Sequence, residues 1–251
     1  MAGHSKWANI KHRKERQDKK KGKVWSKCSR AIIAAARAGG GDPATNLTLR
    51  YAIDEAKYAN MPKDTIQRAI EKGAGAAGGD NFEEVVYEGY GPGGSAIIVD
   101  TLTDNKTRTV SDVRMIFKKG GGNMGNSGSV AFLFQTRGQI IIEAAKTNEE
   151  QIMETAIEAG AEDVQPPDGP DGAWTVLTSP TDFLSVRTAI ESAGIEIADA
   201  EIAKIPDNTI ELRGEEAQKL MNLVEALEDN DDVQKVFTNV DIPQDELASM
   251  N

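Results

Sequence analysis

The stretch from Gln139 to Ile205, QIIIEAAKTNEEQIMETAIEAGAEDVQPPDGPDGAWTVLTSPTDFLSVRTAIESAGIEIADAEIAKI, decides the fold. Gln139–Glu143 is a short apolar run of strand length. Glu149–Ala159 repeats its apolar residues at three- and four-residue spacing, as a helix does. A short strand over Asp163–Gln165 follows, then the turn-forming PPDGPDG, a strand over Ala173–Leu177, a helix over Thr181–Ala193 and a strand over Glu196–Ile205. That order, β-α-β-β-α-β, is the split βαβ unit of a ferredoxin-like domain.

Upstream, a second mixed segment reads β-β-α-β. Val85–Tyr90 and Ala96–Thr101 are strands around the turn Gly91-Pro92-Gly93-Gly94, Asn105–Lys119 is a helix, and Val130–Phe134 is a strand after the glycine-rich run Gly120–Gly128. Downstream, a strand near Thr209–Leu212, a helix over Glu215–Glu228 and a strand over Val233–Asn239 supply the missing half of that unit. Three helices precede it. One covers 24–38; the second runs from about Pro43 to Asn60 with Asp42 as its cap; the third opens at Pro62 and ends at Gly73. Gly73–Gly79 has the composition of a linker. The expected fold is α+β, an N-terminal helical domain followed by two ferredoxin-like α/β domains with the third inserted in the second. The expected boundaries are 1–80, 81–137 with 206–251, and 138–205.

The charge is divided as sharply as the fold. Residues 1–40 carry 12 Lys and Arg against 2 Asp and Glu, whereas residues 151–251 carry 5 against 23, within a chain of net charge −11. A cationic arm on an anionic body meets a phosphate backbone at one end and repels it elsewhere. The candidate nucleic-acid-binding residues are Lys6, Lys11, His12, Arg13, Lys14, Arg16, Lys19, Lys20, Lys21, Lys23, Lys27 and Arg30, with Trp7 as a base-stacking side chain. Trp25 lies on the apolar side of its helix and reads as core. Cys28 is the only cysteine and sits in an apolar helical stripe, so no internal disulfide forms. No apolar run reaches the ~20 residues of a membrane span, and the expectation is a cytoplasmic monomer.

Catalytic patterns are missing from this reading. His4 and His12 stand eight residues apart without clustered carboxylates, which argues against a metal site or a general base. The run Gly120–Ser129 lacks the Gly-Lys-Ser/Thr ending of a P-loop and leads into a strand, so nucleotide hydrolysis is not expected. Two readings of that run stay open. It is a flexible connection after a helix end, or it lets a large partner such as ribosomal RNA approach the backbone. In the second case Lys118, Lys119, Asn123, Met124, Asn126 and Ser127 are the RNA-contacting residues. No cofactor and no metal are expected.

The opening MAGHSKWANIKHRK, the stretch GKVWSKCSRAIIAAARAGGGDPATNLTLRYAIDEAKYANMPKDTIQRAIEKG, the turn YEGYGPGG and the loop GGNMGNSGSVAFLF together resemble the YebC family over essentially the whole chain. That family includes the mitochondrial translational activator of cytochrome c oxidase. The resemblance implies three domains with the third inserted in the second, and a bacterial cytosolic protein. It also implies one of two functions. Members are labelled probable DNA-binding transcriptional regulators, and others look like translation factors that act on the ribosome where proline-rich stretches slow peptide-bond formation. No zinc-finger spacing, basic zipper or aromatic RNA-recognition strand is present, which favours structured RNA read by charge and shape over sequence-specific duplex DNA. The expected function is a non-enzymatic, nucleic-acid-binding regulator that acts on ribosomal RNA in translation; the alternative is a DNA-binding transcriptional regulator. Replacing Lys11, Arg13, Lys14 and Arg16 with Ala should flatten the slope of log affinity against log salt by roughly three to four units. A line parallel to wild type would show that those four side chains touch no phosphate.

Overall fold

The computed structural model describes residues 21–75, 81–167, 169 and 171–249. Three helices come first: α1 (Lys21–Gly39), α2 (Leu47–Tyr58) and α3 (Lys63–Ala74). Ile32, Leu49 and Ala56 are fully buried at their centre, as the helical spacing of these residues requires. Gly73 lets α3 approach α1 closely, because a Cβ there would stand 2.5 Å from the Ile33 carbonyl oxygen. The second helix starts later than its sequence suggests, and its cap is Asn46 rather than Asp42. Asn46 Oδ1 accepts from the Leu49 N–H at 3.1 Å, while its Nδ2 donates to Ala35 O at 2.8 Å and Gly40 O at 2.9 Å. One buried amide thus starts α2 and holds the end of α1, which an aspartate, lacking donors, cannot do. Asp42 instead closes the preceding turn, accepting from the Ala44 N–H at 2.9 Å.

The first sheet follows. β1 (Glu83–Tyr90) and β2 (Ala96–Thr103) pair antiparallel from Glu83↔Thr103 to Tyr90↔Ala96. α4 (Lys106–Lys119) is capped by Asn105, whose Oδ1 accepts from the Arg108 N–H at 3.1 Å. The strand expected at Val130–Phe134 is not formed there. β3 is Asn123–Met124, inside the glycine run, while Ala131–Leu133 is a 3-10 turn. The glycines allow this: a Cβ at Gly89 would meet Asn123 O and the Phe117 ring, each at 2.7 Å, so only a bare backbone lets β3 and α4 close on β1.

The second sheet is built from β4 (Phe134–Glu143), β5 (Asp163–Gln165), β6 (Ala173–Thr178) and β7 (Asp199–Pro206), in the order β5-β6-β4-β7 with every neighbour antiparallel. Helices α5 (Glu149–Glu158) and α6 (Phe183–Ser192) complete the ferredoxin-like βαββαβ order. Ile140, Ile142, Ile152, Val176, Val186 and Ile190 are its fully buried core.

The last segment differs from expectation in one respect. Ile210–Glu211 (β8) does not join the first sheet but pairs in parallel with β10 (Val240–Asp241). The first sheet is completed by β9 (Val233–Thr238), giving the order β3-β1-β2-β9. α7 (Gly214–Glu228) lies between β8 and β9, and a short α8 (Gln244–Ser249), unforeseen from the sequence, ends the described chain. The fold class is α+β with an N-terminal helical region followed by antiparallel sheets, the ferredoxin-like unit lying in sequence inside the first sheet's strands. The described residues gather into two compact units, one of residues up to 129 with 219–236, the other of 130–218 with residues from 237 on. We propose that 1–80, 81–137 with 206–251, and 138–205 are the three domains of the chain.

Gly138 in β4 faces Thr178 across the ladder, and a Cβ there would meet the Thr178 hydroxyl and lie 2.7 Å from the Phe183 ring of α6. Gly138→Ala should therefore cost about 2 kcal/mol of stability through overpacking, read as a lower urea midpoint. A neutral substitution would mean that α6 is not held so close to the sheet.

Candidate nucleic-acid interface

Lys6, Trp7, Lys11, His12, Arg13, Lys14, Arg16, Lys19 and Lys20 lie outside the described residues, as does the side chain of Lys21. The remaining cations of the arm, on α1, are turned towards the chain's own acidic segment. Lys23 Nζ donates to Asp229 O at 3.1 Å and Lys27 Nζ to Glu228 O at 2.6 Å. Arg30 Nη1 donates to Asp231 O at 2.8 Å and to Asp232 Oδ1 at 2.9 Å, and its guanidinium stands 5.9 Å from the Phe82 ring centre. Glu228 is the last residue of α7, so Lys23 and Lys27 sit on the carbonyls at a helix C-terminus, where a positive charge meets the negative end of the dipole. Burial lowers the Lys27 pKa from its ordinary value, against the opposing pull of Glu228 and Asp229.

Asp232 is the acceptor on which this side converges. Its side chain is only 5% exposed. Its Oδ2 accepts from Arg108 Nη2 at 2.7 Å and from the Thr109 hydroxyl at 2.8 Å. Its carbonyl takes the Leu102 N–H at 2.8 Å, and its own N–H donates to Asn230 Oδ1 at 2.9 Å. Burial alone would raise this carboxyl, but the hydrogen bonds from Arg108 and Thr109 and the charges of Arg108 and Arg30 outweigh it and hold the pKa below the ordinary value. An open cleft of about 570 Å³ beside it is lined by Arg30, Lys72 and Arg108 but equally by Asp104, Asp112 and Asp231, so it presents no single sign of charge. Burial pushes the Cys28 thiol up to about 12. Among the described residues no group of His, Cys, Asp and Glu is placed to hold a metal ion.

The loop predicted from its glycines is ordered and closely packed. Gly121, with φ of 77°, closes α4, and the Gly122 N–H reaches Phe117 O at 2.8 Å. A Cβ at Gly122 would stand 2.6 Å from Tyr90 O, and one at Gly120 would stand 2.7 Å from Leu223. Beyond β3, the Gly125 N–H donates to Glu88 O and the Gly128 N–H to Glu88 Oε1, at 2.8 and 2.7 Å. Asn123, Asn126 and Ser127 stay exposed on this frame, and Met124 is half-buried.

Beside the loop, Arg114, Lys118 and Lys119 are exposed and, among the described residues, carry no ion pair. Lys63 and Arg68 on α3 share that property but stand five residues apart, off a common helical face. The structure thus brings together Lys118, Lys119, Asn123, Asn126 and Ser127 and adds Arg114, four residues before Lys118 on the same face of α4. It also adds Tyr90, whose hydroxyl donates to Ser129 O at 2.9 Å. The signal for Tyr90 was the tyrosine before Gly91-Pro92-Gly93-Gly94, where a strand ends and a side chain cannot be shielded by its neighbours.

Asp232→Asn leaves Arg30 and Arg108 facing a neutral acceptor and should cost about 3 kcal/mol at neutral pH. Because the folded-state pKa of Asp232 is depressed, its contribution is complete above the unfolded carboxylate value near pH ~4 and fades as pH falls through the lower folded value. The gap between wild type and variant in thermal midpoint should therefore narrow only in acid. A gap that is constant with pH would remove the carboxylate's charge from the explanation.

Comparison with known proteins places these elements in a family. Residues 5–76 match the profile "TACO1/YebC protein N-terminal domain" and residues 82–240 match "TACO1/YebC second and third domain". A protein of Acidithiobacillus ferrooxidans named probable transcriptional regulatory protein is 53% identical over 250 residues, covering 100% of this chain and 98% of its own. One of the same name from Polynucleobacter asymbioticus is 56% identical over 239 residues, covering 95% of this chain and 99% of its own. The crystal structure of a conserved hypothetical protein from Aquifex aeolicus superposes with a TM-score of 0.77 at 48% identity, covering 88% of this chain and 90% of that one. With both profiles matched in order and relatives aligned along nearly their full lengths, the chain belongs to the TACO1/YebC family.

Proposed function

We propose that this protein is a non-enzymatic, nucleic-acid-binding regulator of gene expression, and that its target is RNA, ribosomal RNA foremost, in support of translation. One observation carries the reading. In a chain of net charge −11, the exposed cations Arg114, Lys118 and Lys119 stand together beside a glycine-built loop and, among the described residues, no carboxylate pairs with them. The acidic remainder keeps a polyanion off other faces, so contact concentrates where the cations are unpaired. The arm of residues 1–20 adds seven Lys and Arg from the sequence. Easing synthesis stalled at proline-rich stretches is the finer role we propose, with the protein acting as a cytoplasmic monomer.

A transcriptional role on duplex DNA is the second reading, favoured by the printed name of the relatives. Against it stands the orientation of α1. A recognition helix presents its polar side chains to the major groove, whereas Lys23, Lys27 and Arg30 are spent on the end of α7 and on Asp231 and Asp232.

The test offers labelled protein both purified ribosomes and an excess of promoter-bearing duplex DNA at roughly physiological salt, and reads its distribution by sedimentation. The protein should pellet with ribosomes despite the DNA. Arg114→Ala, Lys118→Ala and Lys119→Ala combined should release it and flatten the salt slope by about two to three units. Retention on a specific duplex, with none in the ribosome pellet, would overturn the RNA reading.

A further inference from the structure

We infer that Tyr90 is a stacking platform for an unpaired RNA base, so that the ligand of this surface is a single strand and not a duplex. The inference rests on the reading of Arg114, Lys118 and Lys119 as phosphate contacts and adds the class of nucleic acid they serve.

Side chains alternate along β1. Gly89 turns its missing side chain to the Phe117 ring of α4, so Val86, Glu88 and Tyr90 occupy the opposite face of the sheet. There Tyr90 is 43% exposed and Val86 47%, while Glu88 between them is buried and takes the Gly128 N–H. An exposed tyrosine ordinarily samples several rotamers. This one is tethered, because its hydroxyl donates to Ser129 O at 2.9 Å, and Ser129 is fixed in turn by its N–H on Asn126 O at 3.1 Å. The ring is therefore held at a set angle with part of its surface open, which lowers the ordering cost of stacking a base on it. The turn that holds the ring also carries Asn126, an exposed side chain with both donor and acceptor atoms for a base edge.

The cations lie on α4, which packs against the other face of the same sheet. Between the two faces lies the end of the sheet, where the turn holding Gly91, Gly93 and Gly94 and the turn holding Gly120, Gly121 and Gly122 approach each other at one point. Gly122 comes so close that a Cβ on it would stand 3.3 Å from Gly91 Cα. Gly93, Gly94 and Gly121 are exposed there, so a flexible chain can pass close to the backbone. A duplex, with a persistence length of about 150 base pairs, cannot fold over the end of a sheet to touch both faces. A single strand can, with a base on Tyr90 and its neighbouring phosphates on Lys118, Lys119 and Arg114.

The experiment measures binding of the full-length protein to a labelled twelve-nucleotide RNA of mixed sequence and to the blunt duplex of the same sequence. Tyr90→Ala should weaken the single strand about tenfold, leave duplex affinity unchanged and keep the salt slope, since no charge is removed. Tyr90→Phe keeps the ring but frees it from Ser129, and should give a smaller loss. If Tyr90→Ala binds the single strand as wild type does while the triple Arg114, Lys118, Lys119 alanine variant still binds weakly, the stacking role is overturned and the phosphate surface stands. If the triple variant is also silent, the proposed function falls with it. Should Tyr90→Ala fail to show the wild-type thermal transition, the unaltered protein decides. RNA carrying 5-iodouridine, irradiated in complex, should cross-link to Tyr90 by peptide mapping, and cross-links confined to other residues would overturn the inference.

Discussion

A buried carboxylate surrounded by donors from several elements is the constraint on which the N-terminal half of the structure depends. Asp232 stands at the entry to β9 and takes Arg30 from α1, Arg108 and Thr109 from α4, and, through its carbonyl, the Leu102 N–H of β2. Desolvating a carboxylate costs several kcal/mol unless its lone pairs are filled, and here both oxygens are. The same attachment determines what α1 can do. Once Arg30 is drawn to Asp231 and Asp232, Lys27 and Lys23 fall one and two turns earlier, on the carbonyls at the end of α7. Three cations of α1 that read in the sequence as candidate nucleic-acid contacts, Lys23, Lys27 and Arg30, are thereby bonded to the end of α7 and to the acidic run that follows it.

Glycine sets the second constraint, through the side chains it lacks. Gly89 admits Phe117, Gly120 admits Leu223 and Gly122 admits the backbone at Tyr90, so helix α4, strand β3 and the turn after β1 close on one another at distances no Cβ allows. The exposed residues of the loop thus stand on a closely packed frame. Preorganisation of that kind matters for binding a flexible polymer, since the protein side then loses little entropy on contact.

These two constraints together sort the cations by role. Lys23, Lys27, Arg30 and Arg108 are held by internal acceptors, as is Lys235, which reaches Glu55 at 2.7 Å. Arg114, Lys118 and Lys119 are left exposed by a helix whose other faces are occupied by the sheet and by Asp232. On the proposed reading an acidic chain binds a polyanion in this way, because local exposed charge at close range outweighs a distant net charge screened within about 8 Å at physiological ionic strength.

What the sequence determined by itself was whatever follows from local periodicity. The βαββαβ order of residues 139–205, the three N-terminal helices, the burial of Cys28 and the glycine run after α4 were legible because a strand, a helix or a turn leaves its own spacing in the chain. The sequence also misplaced some features. It put the cap of α2 at Asp42, the strand after α4 at Val130–Phe134 and β8 in the first sheet, since capping by Asn46 and pairing of Asn123–Met124 with β1 depend on groups that are remote or lack a pattern. Tertiary structure alone decided which cations are spoken for. Lys27 and Lys118 are chemically identical in the sequence, and only the meeting of α1 with residues more than two hundred positions away consumes the first and leaves the second open. Long-range neutralisation leaves no local trace in a sequence, because a charge's partner is fixed by the fold and not by its neighbours along the chain.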